Sequence, residues 1–185
     1  MKLNDKLIRS AFIEWLYKRR PAPKKIIEEL SVDNGNAIAD IVVLSRDLHC
    51  FEIKGESDKI ERLQKQSLHY DLAFRKITLI TTQNHLDKSF NLAPSYWGII
   101  EAKIKDGAVI FSYKRKASLN PMFSKVTALQ TLWKVEMLNI VSKKSIINVK
   151  KNHTREKISV EIAISSSKKE LSNLIAEQLI DRVSS

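Results

Sequence analysis

A chain of 185 residues with a 43% apolar fraction suits one domain with a substantial core. Thirty-two Lys and Arg against 21 Asp and Glu leave a formal charge of +11, which favours a polyanionic partner, with nucleic acid ahead of a membrane surface. The single cysteine, Cys50, excludes an internal disulfide and a cysteine-built zinc site, and its apolar neighbours make it a core residue.

The opening sequence MKLNDKLIRSAFIEWLYKRR lacks the uncharged apolar segment and small-residue cleavage site of a signal peptide. No apolar run approaches the length of a membrane span, so a cytoplasmic setting is expected. Leu7, Ile8, Ala11, Phe12, Trp15 and Leu16 recur at helical spacing behind Asn4, a good N-cap. This predicts an amphipathic first helix that stops at Arg19-Arg20 before Pro21. IIEELSV, residues 26–32, fits either a helical turn or a strand, since periodicity does not separate them. DNGN, residues 33–36, is a turn signal. Residues 37–44 and 48–54 then read as a hairpin joined through Ser45-Arg46-Asp47.

From Asp58 the period changes, and Ile60, Leu63, Ser67, Leu68, Leu72 and Ala73 predict a helix capped by Ser57 or Asp58. KITLITT, residues 76–82, is apolar and β-branched on both faces, as in a buried parallel strand. Residues 84–90 form a short helix or loop. SYWGIIEAKI and AVIFSYKR, split by Lys105-Asp106-Gly107, read as a second strand pair. The alternation predicts a mixed α/β layer over residues 1–121. An all-helical extension over residues 122–185 follows. Its expected parts are one long amphipathic helix over 123–141, a basic stretch over 143–157, a helix capped by Thr154, and a last helix over 168–183 capped by Ser167.

The charged residues of the hairpin invite a chemical reading. Asp40 opens its first strand, and Glu52 and Lys54 close the second. Strand alternation puts Glu52 and Lys54 on one face with Ile53 on the other. Charges at the ends of buried strands need a metal, a counter-charge or a reaction to serve. Asp40 and Glu52, completed by Glu29 (or by Glu28, which points elsewhere), are hard oxygen ligands suited to Mg²⁺ or Mn²⁺. A metal there would activate water against a phosphodiester, with Lys54 steadying charge in the transition state. The other reading of the same residues is an ion-paired set at a sheet edge. Gln66 and Tyr70 lie four apart on one helix face, placed to hold substrate, and Asp58 and Arg62 are spaced to pair.

With those residues in view, the sequence resembles the PD-(D/E)XK nuclease superfamily. The resemblance is carried by Glu29, Asp40, Glu52-Ile53-Lys54 and Gln66-x3-Tyr70. Its closest likeness is to a branch of small bacterial and phage-borne proteins. In this chain that likeness is carried by Asp58, Arg62-Leu63, Gln66, Trp97-Gly98, Ala117, Asn120-Pro121 and Leu132-Trp133. Two positions depart from the pattern: Ala39 stands where the superfamily name has Pro, and Ile38 where relatives carry a basic residue. The resemblance implies a restriction-endonuclease-like mixed central sheet flanked by helices. It implies a Mg²⁺-dependent phosphodiesterase, endonuclease or exonuclease, acting on nucleic acid with DNA ahead of RNA. Within it Asp40, Glu52 and Glu29 would hold the metal, Lys54 would assist, and Gln66 and Tyr70 would bind substrate.

Lys150, Lys151 and Arg155 in the basic stretch add expected backbone contacts that carry no sequence preference. The carboxyl-terminal helices offer a DNA-binding appendage, or a surface for a homodimer or another protein. The four histidines have no zinc-ligand spacing, the serines have no adjacent base, and Trp97 reads as core packing. The alternative to an enzyme is an inactive nucleic-acid-binding or protein-interaction module of a phage-defence, mobile-element or DNA-repair system.

Overall fold

The structure is a computed structural model that describes residues 2–45 and 47–182. Arg46, in the expected hairpin turn, and Val183, the expected end of the last helix, lie outside the described residues. The first helix, α1, spans Asp5–Tyr17, and Asn4 caps it by accepting from the Leu7 N–H at 2.9 Å. Its apolar stripe buries Ile8, Phe12 and Leu16.

Six strands follow: β1 (Lys25–Val32), β2 (Ala37–Leu44), β3 (Leu48–Lys54), β4 (Lys76–Thr81), β5 (Gly98–Lys105) and β6 (Ala108–Arg115). They form one sheet in sequence order. The β1–β2, β2–β3 and β5–β6 pairs are antiparallel, and the β3–β4 and β4–β5 pairs are parallel. Each parallel step needs a crossover, supplied by α2 (Leu63–Ala73) and α3 (Leu86–Leu92). IIEELSV therefore resolves as a strand, because β2 offers it a ladder from Lys25↔Leu44 to Val32↔Ala37.

Alternation sorts the strand side chains onto two faces. Ile41, Phe51, Ile53, Ile80 and Ile100 face α1, where Phe12 meets Phe51 and Phe111. Val42, Leu44, Cys50 and Leu79 face the other way, toward α2 and the carboxyl-terminal helices. Those helices are α4 (Lys125–Leu129), α5 (Lys134–Lys143), α6 (Arg155–Ile164) and α7 (Lys168–Asp181). Leu129, Ile140, Ile158 and Ile175 share one buried cluster with Leu30, Val42 and Tyr70. The chain is thus α/β, with a six-stranded mixed sheet and seven helices among the described residues.

Two local expectations are corrected. The single helix over 123–141 is two helices. The apolar period runs across the break, but the Thr131 hydroxyl turns back to the Ala128 carbonyl at 2.7 Å. The Trp133 N–H then donates to Glu136 Oε2 at 2.6 Å, which starts α5 afresh. Asp58 is neither a helix cap nor a partner for Arg62. Its Oδ2 accepts from the Gly55 N–H at 2.7 Å, and the next segment enters through one 3₁₀ turn at Ile60–Arg62. Thr154 and Ser167 cap α6 and α7 as expected, accepting from Lys157 N and Glu170 N.

The remaining signature residues hold α2 to the sheet and to the chain beyond it. Asp71 of α2 accepts from Trp97 Nε1 and from the Tyr96 hydroxyl, each at 2.7 Å. Asn120 Nδ2 donates to the Asp71 and Phe74 carbonyls, both at 2.7 Å. At Gly98 a Cβ would lie 2.5 Å from Thr78 Oγ1 and 2.9 Å from Ala117 N, so no larger residue fits.

Candidate functional site

Asp40 lies on β2 with both carboxylate oxygens engaged. Oδ1 accepts from Arg9 Nη2 at 3.0 Å, and Oδ2 accepts from the Ile53 N–H at 2.8 Å. Arg9 Nη1 also donates to the Asp40 carbonyl at 2.9 Å, so the α1 guanidinium clamps this residue through both arms. The same Arg9 pairs with Asp5 at 3.0 Å and lies 4.0 and 3.9 Å from Glu28 and Glu29. Strand register sets Glu29 opposite Asp40, between the pairs Glu28↔Ile41 and Leu30↔Ala39. Two carboxylates facing across a ladder repel. Glu29 leaves the ladder with a φ of 55° and a side chain that is 73% exposed, and Arg9 stands between the two acids.

Glu52 is only 1% exposed. Its Oε1 meets the Lys54 ammonium, and its Oε2 lies 2.8 Å from the Tyr70 hydroxyl. That hydroxyl is also 2.6 Å from the Ile38 carbonyl. The Tyr70 hydroxyl thus has two acceptors within reach, Glu52 Oε2 and the Ile38 carbonyl, and its one proton is shared between them. Burial first, and then Asp40, push the Glu52 carboxyl up to about 7 against the pull of Lys54 and Tyr70. Burial also raises Asp40, opposed by the Ile53 N–H and Arg9.

The sequence thus brings Asp40, Glu52, Lys54 and Tyr70 to one end of the sheet, with Glu52 and Lys54 on a common face. Several of the expected site residues are engaged within the fold. Tyr70 is fully buried and bonded to Glu52 and Ile38, which removes it from any contact with a nucleic-acid backbone. Gln66 stands apart from the Glu52 network, with its Oε1 buried and lacking a hydrogen-bond partner. Glu29 is held off from Asp40 by Arg9. Among the described residues no group of three or more His, Cys, Asp or Glu side chains is placed to share a metal ion. Asp40 and Glu52 each have an internal cation, Arg9 and Lys54 respectively, and Asp40 also accepts the Ile53 N–H. Sequence reasoning missed Arg9. Its visible signal was a cation four residues after Asp5 on the helix that carries the apolar stripe.

The basic stretch divides in two. Lys143 pairs with Glu177 at 2.6 Å, and Lys144 with Glu170, so both are neutralised by α7. Lys150, Lys151 and Lys157 are exposed and have no ion-pair partner among the described residues. Lys150, Lys157 and Lys134 lie around His153, with Glu161 also near it. Partial desolvation first, then Lys157, Lys150 and Lys134, hold that imidazole below its ordinary range. Arg155 turns inward instead, donating from Nη2 to the Gln130 and Leu132 carbonyls at 2.5 and 3.0 Å.

The sequence matches, over residues 1–182, the family model described as Bacteriophage P4 protein cII. "Protein cII" of Enterobacteria phage P4 is 27% identical over 145 residues, covering 78% of this chain and 55% of that protein. The chain therefore spans about half the length of the curated relative it matches. No solved structure matches, so the fold is described by its own topology. These matches overturn the PD-(D/E)XK resemblance, and with it the readings of nuclease, hydrolase and Mg²⁺-dependent phosphodiesterase. The residues explain how the resemblance misled. An acid-x-Lys strand near a Gln-x3-Tyr helix has the outline of a metal site, yet here its charges are spent on one another.

Proposed function

The chain belongs to the Bacteriophage P4 protein cII family, and from there we propose that it is a non-catalytic nucleic-acid-binding protein, with DNA as its first partner. The observation that carries this reading is the open basic corner between α5 and α6. Lys134, Lys150 and Lys157 gather there around His153 and form no ion pair among the described residues, Lys151 is exposed in the same stretch, and the chain's net charge is +11. Lysines without a local counter-charge attract phosphate and release its condensed cations. Contacts of that kind set affinity and carry no base preference.

Fluorescence anisotropy with labelled duplex DNA, single-stranded DNA and RNA across a salt series tests it. The full chain binds, and its affinity falls linearly on a log–log salt plot. The variant Lys150→Ala/Lys151→Ala/Lys157→Ala binds more weakly with a shallower slope, by about 0.9 for each duplex phosphate no longer neutralised. Absence of binding to all three polymers, or unchanged binding by the triple variant, defeats the proposal. Tighter binding to RNA than to DNA would overturn the choice of DNA.

A second reading, a protein-interaction surface on the same helices, draws on exposed apolar side chains. Ile147 is 92% exposed, and Val135 and Ile164 are also open to solvent. Sedimentation of the chain over a range of concentrations tests for a homodimer, and an invariant monomer would defeat that form of the reading.

A further inference from the structure

A cleft of about 440 Å³ lies between β1 and the carboxyl-terminal helices, beside the basic corner. Its size falls in the range of small-ligand sites. One wall is β1, including Glu29, and the other is the break between α4 and α5, with Arg155 and Arg182. We propose that this cleft binds a nucleoside phosphate, with the base against Trp133 and the phosphate drawn by Arg155. The inference rests on the nucleic-acid reading and gives it a second contact, one that recognises a nucleotide rather than a backbone charge.

Trp133 is 51% exposed although it sits beside a packed core. The Arg182 guanidinium lies 4.4 Å from the ring centroid and is itself locked to Glu136 at 2.6 and 2.5 Å. The indole is thus braced by a fixed cation while half of its surface stays open. A braced, exposed aromatic ring is a platform on which a base stacks, and every base has the required π-face. Arg155 supplies the charge. Its guanidinium is fixed by two backbone carbonyls, and no carboxylate pairs with it among the described residues. Two buried polar atoms at this wall, Arg155 Nε and Gln130 Oε1, also lack partners, so the wall is not closed by its own hydrogen bonds. Glu29 belongs to the β1 wall, but its carboxylate lies 3.9 Å from Arg9. The charge offered to the cleft is therefore that of Arg155 and Arg182, and the ligand lies with its phosphate toward Arg155 and its base on Trp133.

The test uses the full chain with GMP, UMP and inorganic phosphate as probes, followed by calorimetry and tryptophan fluorescence. GMP is expected to bind saturably and to quench the indole, more tightly than UMP. Phosphate is expected to compete only weakly. Trp133→Ala should weaken GMP binding about tenfold or more, with unchanged thermal unfolding as the control for folding. Competition by a short single-stranded oligonucleotide but not by a blunt duplex identifies an unpaired nucleotide as the source, and competition by neither identifies a free nucleotide. No GMP binding, or equal GMP binding by Trp133→Ala, overturns the inference. DNA binding that persists without GMP binding leaves the basic-corner reading standing, and loss of both removes both.

Discussion

The two charged regions of this molecule differ in where their charges end. At the hairpin, every acid meets an internal partner: Asp40 meets Arg9 and the Ile53 N–H, and Glu52 meets Lys54 and Tyr70. At the α5–α6 corner, Lys150, Lys151 and Lys157 meet no acid among the described residues. Buried charge must be neutralised within the fold, whereas exposed charge need not be and remains available to a partner. The first region thus reads as structure, while the second leaves its charge open to solvent. Residue types alone offered a chemical role to both.

The largest effect expected from this contrast is at Lys54. Lys54→Met leaves Glu52 buried beside Asp40 without its cation, which should cost about 3–5 kcal/mol at pH 8. Combining it with Glu52→Gln removes both charges and should recover most of that loss, since a buried pair is often replaceable by neutral groups of similar size. Urea unfolding of the wild type and the two variants measures it. A double variant as unstable as the single one would show that the pair itself holds the sheet end together.

The next effect is a pH dependence. The folded Glu52 carboxyl titrates near 7, above its ordinary value of 4.5. The folded chain therefore holds this proton more tightly than the unfolded chain. The resulting contribution to stability is full below about pH 4.5 and is lost as pH rises through about 7. The two values set an upper scale of about 3 kcal/mol, reduced by coupling to Lys54. Stability measured between pH 5 and 8 should decline in the wild type and lose this component in Glu52→Gln/Lys54→Met. An identical profile in both would assign the slope to other groups.

These two regions also mark what can be read from a linear sequence. The strands of residues 37–44 and 48–54 were legible because their alternation and turn are local. The caps at Asn4, Thr154 and Ser167 were legible for the same reason. The common face of Glu52 and Lys54 follows from a period of two and is present in the structure. Whether those groups are open or neutralised is a tertiary matter. It depends on Arg9, which reaches Asp40 across 31 residues, and on Tyr70, 18 residues from Glu52. The motif-like residues Trp97, Gly98 and Asn120 were visible as a pattern, but their shared task around α2 required the packed fold. The break at residues 130–133 was hidden because apolar spacing continued through it, and with it went the cleft that the break lines.

Arg9 gives the third test. Arg9→Ala removes the one cation shared by Asp5, Asp40 and the Glu28–Glu29 pair. Loss of its charge-assisted hydrogen bonds to part-buried Asp40 should destabilise the chain by about 2–3 kcal/mol at neutral pH, and by less as Asp40 becomes protonated. Arg9→Lys should rescue only part of this, because an ammonium cannot reach Asp40 Oδ1, the Asp40 carbonyl and Asp5 together as the forked guanidinium does. Thermal unfolding at two pH values reads both effects. Full rescue by lysine would reduce the clamp to a simple point charge.

The smallest expected effect is the one that sharpens the contrast most. Replacing Lys150, Lys151 and Lys157 with alanine removes three exposed charges, two of them, Lys150 and Lys157, close to His153. Among the described residues, none of the three forms an ion pair. Stability should therefore change by no more than about 0.5 kcal/mol in either direction. The sign should lean toward stabilisation at low salt, and the difference should fade as salt screens the repulsion. Urea unfolding at low and high ionic strength measures this, on the variant used for DNA binding. A loss of several kcal/mol would mean that these lysines are structural like Lys54. A neutral result beside a weakened grip on DNA separates the two regions cleanly: charge at the hairpin is spent on folding, and charge at the corner is held for a partner.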